Sequence, residues 1–144
     1  MSSQIKKANF TEDFSFIVKN IITFYEENPK ELFLSSKERV KTGVKQLFKD
    51  KNNFYYIIFL ENKKIGFVQI LRTHNDITEI IIIYLQKKYR DKKIGRKALT
   101  EIIEEMKNLG IKMFKTEINT HNDRSKHFFK KQHFKKHSSI YLLK

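Results

Sequence analysis

Ile80-Ile81-Ile82-Ile83-Tyr84-Leu85-Gln86-Lys87-Lys88-Tyr89-Arg90-Asp91-Lys92-Lys93-Ile94-Gly95-Arg96-Lys97 is the stretch whose reading decides the fold. It opens as a short, uninterrupted β-branched run, the pattern of a buried strand. It then turns basic. Beyond it Ala98, Leu99, Ile102, Ile103, Met106 and Leu109 recur at helical spacing, and Gly110 stands where a helix C-cap glycine would. The stretch therefore reads as strand, basic turn, helix. Such a turn aims backbone N–H groups and the positive end of a helix dipole at one point, an arrangement suited to a phosphate.

Working outward, the chain has 144 residues, enough for one domain with a real core and too few for two, so residues 1–144 read as one unit. Apolar content of 40% with 13% aromatics argues for a globular fold over a disordered one. Cysteine is absent, which excludes disulfides and thiolate chemistry. Met1 to Lys7 carry no apolar signal-peptide core, and no apolar run approaches the roughly 20 residues of a membrane span. The expectation is a cytoplasmic protein without a membrane partner. The formal charge of +14, from 30 Lys+Arg against 16 Asp+Glu, fits a polyanionic partner such as RNA. Lysines fall in nearly every segment, however, which favours a solvated surface over a dedicated nucleic-acid site.

Gln4 to Asn9 suggest a first strand. Thr11-Glu12-Asp13 read as a capped helix start, and Phe14, Ile17, Val18, Ile21, Ile22 and Tyr25 continue that helix until Pro29 stops it. Ser35-Ser36-Lys37-Glu38 read as a capping box for a second helix with Val40, Val44, Leu47 and Phe48 inward. Strands follow at Phe54–Leu60, Ile65–Leu71 and Asp76–Leu85, with Glu61 to Lys64 as a hairpin turn. After the central helix come a strand at Ile111–Asn119, a short helix at Asp123–Lys131 and one last strand through Ile140 to Leu143. The order β-α-α-β-β-β-α-β-α-β predicts an α/β (α+β) fold. A mixed sheet, antiparallel through the hairpins and parallel across the central helix, carries helices on both faces.

At Arg90-x-x-Lys93-x-Gly95 the turn resembles the Arg/Gln-x-x-Gly-x-Gly/Ala loop of the GCN5-related N-acetyltransferases (GNAT), with Lys93 in place of the first glycine. A second stretch, Asn122 to Phe134, resembles the family's Asn-x-x-Ala-x-x-Phe/Leu-Tyr-x-x-x-Gly-Phe segment. Asn122, Ser125, Phe128 and Phe134 fall at matching positions, while Phe129 replaces the tyrosine and His133 the glycine. The element order agrees with the family over nearly the whole chain. The resemblance implies acetyl-CoA as acyl donor. It implies that the strand edge at Ile83, Tyr84 and Leu85 pairs with the pantetheine arm. It further implies that Arg90, Asp91, Lys92, Lys93, Ile94, Gly95 and Arg96 grip the pyrophosphate, with Asn122 and Phe129 beside the arm and sulfur.

Acetyl transfer needs a neutral amine, and a lysine-like amine is almost wholly protonated at pH 7. A positioned carboxylate is one way to remove that proton. Glu117 resembles the base of the ribosomal-protein-type N-terminal acetyltransferases, and Glu79 that of the histone-acetyltransferase branch. Each also fits a strand-end carboxylate paired with a lysine, so the base stays open. The tyrosine that protonates the leaving thiolate in the family is absent at Phe129, which is expected to face the cofactor cleft while Phe128 enters the core. The histidines straddle several elements without a ligand set, so no metal is expected. The acceptor amine is not named by the sequence; its selectivity is assigned to the Glu26–Ser36 connection and the last strand. A monomer or homodimer is expected. The competing reading is a basic RNA- or protein-associated module with the same fold and little turnover.

Overall fold

The computed structural model describes residues 2–28, 36–118, 122–137 and 140–144. Its strands are β1 (Ser3–Lys7), β2 (Asn53–Leu60), β3 (Lys63–His74), β4 (Ile77–Leu85), β5 (Met113–Glu117), β6 (Lys135–His137) and β7 (Ile140–Leu143). They form a seven-stranded sheet in the order β1-β2-β3-β4-β5-β7-β6. The helices are α1 (Phe10–Glu27), α2 (Lys37–Lys49), α3 (Ile94–Asn108) and α4 (Asp123–Lys131). Every pairing is antiparallel except β4 with β5, the pair that α3 connects. A crossover helix is what a parallel neighbour requires.

The mixed α/β fold is as the sequence suggests, with local corrections. The cap of α1 is Asn9, not Thr11. Asn9 Oδ1 accepts the Glu12 N–H at 3.2 Å and Asp13 Oδ2 accepts the Asn9 N–H at 2.7 Å, so the reciprocal cap forms two residues earlier. The helix ends at Glu27, before Pro29, which lies outside the described residues. For α2 the cap is Ser36, whose hydroxyl accepts the Arg39 N–H at 3.3 Å; Ser35 lies outside the described residues. The β2–β3 connection is only Glu61-Asn62, both at positive φ (50° and 68°), the geometry of a tight hairpin whose twist matches its strands. The tail after Phe134 carries two short strands where the sequence suggests one. The outermost, β6, is Lys135-Lys136-His137 and fully exposed, a charged edge that discourages further pairing.

The sheet buries one core on each face. On one side Ile80, Leu99, Ile102, Met106, Phe114, Phe129 and Tyr141 pack under α3 and α4. On the other, Ile17, Val40, Val44, Ile57, Phe67, Ile82 and Tyr84 pack under α1 and α2. Fully burying a side chain of this kind contributes about 1.5–3 kcal/mol.

Within β4, strict alternation would put Ile80 and Ile82 on the same face. They lie in opposite cores because the register to β3 slips between Gln69↔Ile82 and Ile70↔Ile80, leaving Ile81 as an extra residue. This β-bulge re-aims the rest of the strand. Beyond it Tyr84 faces α1, while Ile83 and Leu85 face α3 and α4.

Candidate active site

The ladder between β4 and β5 contains three matched pairs, Ile77↔Met113, Thr78↔Phe114 and Glu79↔Lys115, and then stops. β4 continues to Leu85, paired among the described residues with β3 alone. At the parting point Thr116 Oγ1 donates to the Ile80 carbonyl at 2.9 Å, a side chain standing in for the missing backbone partner. From Ile81 onward the β5-side edge of β4 lines an opening.

At the far end of that edge lies the basic turn. Lys87–Tyr89 form a single 3-10 turn, and α3 then starts after Lys93, held at φ 64° in the left-handed region. Asp91 is also left-handed, at φ 62°. Among the described residues no side chain caps α3, and its first residues, Ile94 to Arg96, line the opening. That is an anion cradle of the kind phosphates occupy, with the Lys93 and Arg96 cations on its rim. Gly95 is buried in the first turn. A Cβ there would meet Phe128 at 3.5 Å and Leu85 at 3.6 Å, so the missing side chain keeps this wall flat.

The opening and the turn belong to one cleft of about 920 Å³. Ile83, Tyr84, Leu85, Arg90, Asp91, Lys93, Ile94, Gly95, Arg96 and Asn122 line it. Lys92 does not, because the turn directs it outward, and it is exposed. Asn122 accepts the Ser125 N–H at 3.1 Å and so caps α4 at the cleft wall.

The expectation for Phe129 is reversed. Phe129 is 4% exposed and sits in the core, while Phe128 lines the cleft beside Gly95. The end of α4 explains this. Phe134 N–H bonds the Phe129 carbonyl at 3.0 Å and His133 N–H the Lys130 carbonyl at 3.0 Å, a Schellman motif with His133 at φ 70°. Such a motif brings its flanking apolar pair together, and the Phe129 and Phe134 rings indeed meet at 5.1 Å. His133 thus adopts the conformation that favours glycine, as Lys93 does.

Neither candidate base lines the cleft. Glu79 forms the last matched pair and lies 3.8 Å from Lys115 Nζ. Glu117 is exposed at the end of β5. Strand alternation sets Glu79, Lys115 and Glu117 on one face, opposite Ile80 and Phe114 and on the α1 side of the parting point.

Besides Asp91, a second carboxylate lines the cleft that sequence reasoning missed: Glu27, the last residue of α1. Its Oε1 accepts from Arg90 Nη2 at 2.5 Å and its Oε2 from the Tyr84 hydroxyl at 3.4 Å. Arg90 Nε also donates to the Leu85 carbonyl at 2.7 Å, and its guanidinium lies 5.2 Å from the Tyr84 ring centroid. Arg90 is therefore already engaged by protein groups. Burial pushes the Tyr84 phenol above its ordinary pKa, Glu27 adds to this and Arg90 opposes it, so the hydroxyl stays protonated at neutral pH. Only the position of Glu27 before Pro29, inside the Glu26–Ser36 stretch assigned to acceptor choice, hinted at its role.

A parallel pair that splits beside a helix N-terminus leaves an open strand edge next to an anion cradle. The family model described as "Acetyltransferase (GNAT) family" matches residues 18–134, and the chain belongs to that family. The family implies acyl transfer from acetyl-CoA to an amine, and this does not favour the module without turnover. Among solved structures, the chain is similar to PaiA N-acetyltransferase from Thermoplasma acidophilum in complex with coenzyme A. The TM-score is 0.78 at 22% identity, covering 99% of this chain and 97% of that one. An acetyltransferase from Thermus thermophilus gives a TM-score of 0.83 at 14% identity, covering 99% and 97%. RimL, a ribosomal alpha-N-protein acetyltransferase in apo form, gives 0.81 at 14% identity, covering 99% and 90%. No curated protein matches the sequence. Among the described residues no helix is long and apolar enough to cross a membrane.

Proposed function

We propose that residues 1–144 act as an acetyl-CoA-dependent N-acetyltransferase whose acceptor is a primary amine. The observation that carries this reading is the parting of β4 from β5 after Glu79, with the uncapped start of α3 at the other end of the freed edge. Acetyl-CoA supplies an activated thioester when bound. The freed edge at Ile83 to Leu85 offers backbone groups to its amide-bearing arm, as a neighbouring strand would. The N–H groups of α3, with Lys93 and Arg96, meet its pyrophosphate, and Gly95 leaves room for the approach. A backbone N–H of the same edge serves the oxyanion of the tetrahedral intermediate. Phe128 and Phe129 have no proton to give, so the departing thiolate takes its proton from water or from another group on the cleft wall, such as the Tyr84 hydroxyl or His127.

The amine approaches from the α1 side, where Glu79 and Glu117 flank the parting point. Glu117→Gln should lower kcat by roughly 10²–10⁴ with acetyl-CoA affinity held, and Glu79→Gln should be mild, if Glu117 takes the proton. The reverse pattern assigns the base to Glu79, and two mild variants assign it to water.

The reaction is tested by following free thiol release from acetyl-CoA across peptide N-termini, polyamines, aminoglycosides and aminoacyl-tRNA. Amine-dependent release with one of these classes is expected. Failure to bind acetyl-CoA at all would contradict the reading.

A further inference from the structure

We propose that Arg90 is shared between Glu27 and the pyrophosphate of the cofactor, so that loading the cofactor uncovers Glu27 as a negative group for a cationic acceptor. This rests on the acetyl-CoA reading above. Arg90 precedes the α3 cradle by one short turn, on the strand side, and reaches back to the end of α1. Its guanidinium lines the cleft and bridges those two elements. It is not locked in the core: the side chains of Arg90 and Glu27 are 15% and 30% exposed.

A guanidinium matches phosphate oxygens at least as well as a carboxylate, and a pyrophosphate carries more charge than one carboxylate. A pyrophosphate seated on the α3 N–H groups therefore competes with Glu27 for Arg90. The other acid of the cleft cannot substitute for Glu27. The Asp91 side chain is 95% exposed and lies 4.0 Å from Arg124 on the outer rim. Released from Arg90, Glu27 keeps the Tyr84 hydroxyl as a donor and turns one carboxylate oxygen toward the cleft. At neutral pH a primary amine arrives as an ammonium ion, which such an oxygen receives. Loading in the order cofactor, then amine, follows from this exchange.

Calorimetry of acetyl-CoA binding to the full chain tests the exchange. Glu27→Gln keeps the side-chain shape and removes the competing charge. It should bind acetyl-CoA about twofold to fivefold more tightly than the parent, the size of a partly exposed ion pair. S-acetylpantetheine, which lacks the pyrophosphate, should bind parent and variant alike. A thermal melt establishes that the variant is folded, and Glu27→Ala repeats the comparison without an amide. A second measurement needs no variant: carbodiimide coupling of glycine ethyl ester to Glu27, read by mass spectrometry, should rise when CoA is bound. Unchanged or weaker acetyl-CoA binding in both variants, or Glu27 protected by CoA, would overturn the exchange. Loss of acetyl-CoA binding by the parent itself would instead overturn the reading on which it rests.

Discussion

The two halves of β4 have different neighbours. Ile77 to Glu79 are paired on both sides, whereas Ile80 to Leu85 are paired to β3 alone. Both begin with β-branched residues, Ile77 and Thr78 in one and Ile80 to Ile83 in the other, so β-propensity does not decide which is paired. The difference lies in the neighbours. β3 spans Lys63–His74 and follows β4 to its end, whereas β5 pairs with β4 only as far as Lys115 and continues to Glu117 paired with β7. The bulge at Ile81 marks the change and turns Tyr84 toward α1. The β4 edge is left open here because β5 parts from it before either strand ends.

The comparison breaks most sharply at Gly66, which supports the free half from the β3 side, opposite Leu85. A Cβ at Gly66 would lie 2.1 Å from the Tyr84 carbonyl oxygen, a backbone atom that cannot swing aside. Gly66→Ala should cost at least about 3 kcal/mol in urea unfolding, or prevent folding. An unchanged urea midpoint would mean that β3 and β4 do not approach as described.

A smaller effect separates the two phenylalanines of α4. Phe129→Tyr puts a hydroxyl into an apolar core and should cost on the order of 1–3 kcal/mol. Phe128→Tyr sets its hydroxyl toward the cleft and should leave the melting temperature within a degree or so. Equal melting temperatures for the two variants would contradict the rotation of α4.

The smallest expected effect is a gain. His133→Gly should stabilise the chain by about 0.5–1 kcal/mol, because the left-handed conformation at φ 70° disfavours a Cβ. Lys93→Gly at φ 64° should do the same while weakening acetyl-CoA binding through the lost cation. Loss of stability in both would mean that their side chains hold the turns.

These cases mark what the sequence carries and what it hides. Periodicity located α1, α2, α3 and the hairpin strands, because each buries a repeating apolar face. The turn before α3 was legible from Gly95 and its basic neighbours. Phe128 and Phe129 were exchanged because adjacent aromatics on a short helix fit either rotation; the Schellman pairing of Phe129 with Phe134 decides it. The last strand, β7, falls where the sequence suggests it, but β6 is three exposed residues, Lys135-Lys136-His137, too short to show alternation. Glu27 was invisible as a site residue because its contacts, Tyr84 and Arg90, lie on another element far along the chain.

Acetyl-CoA binding by Gly95→Asp, measured by calorimetry beside Gly95→Ala, tests the central claim most directly. The Cβ at Gly95 makes only ordinary contacts with Phe128 and Leu85, so both variants should fold. The aspartate sets a negative charge at the α3 cradle, and acetyl-CoA binding should weaken by well over tenfold, about 1.4 kcal/mol or more, while alanine stays close to the parent. A folded Gly95→Asp variant that binds acetyl-CoA as the parent does would contradict the assignment of this turn to the cofactor.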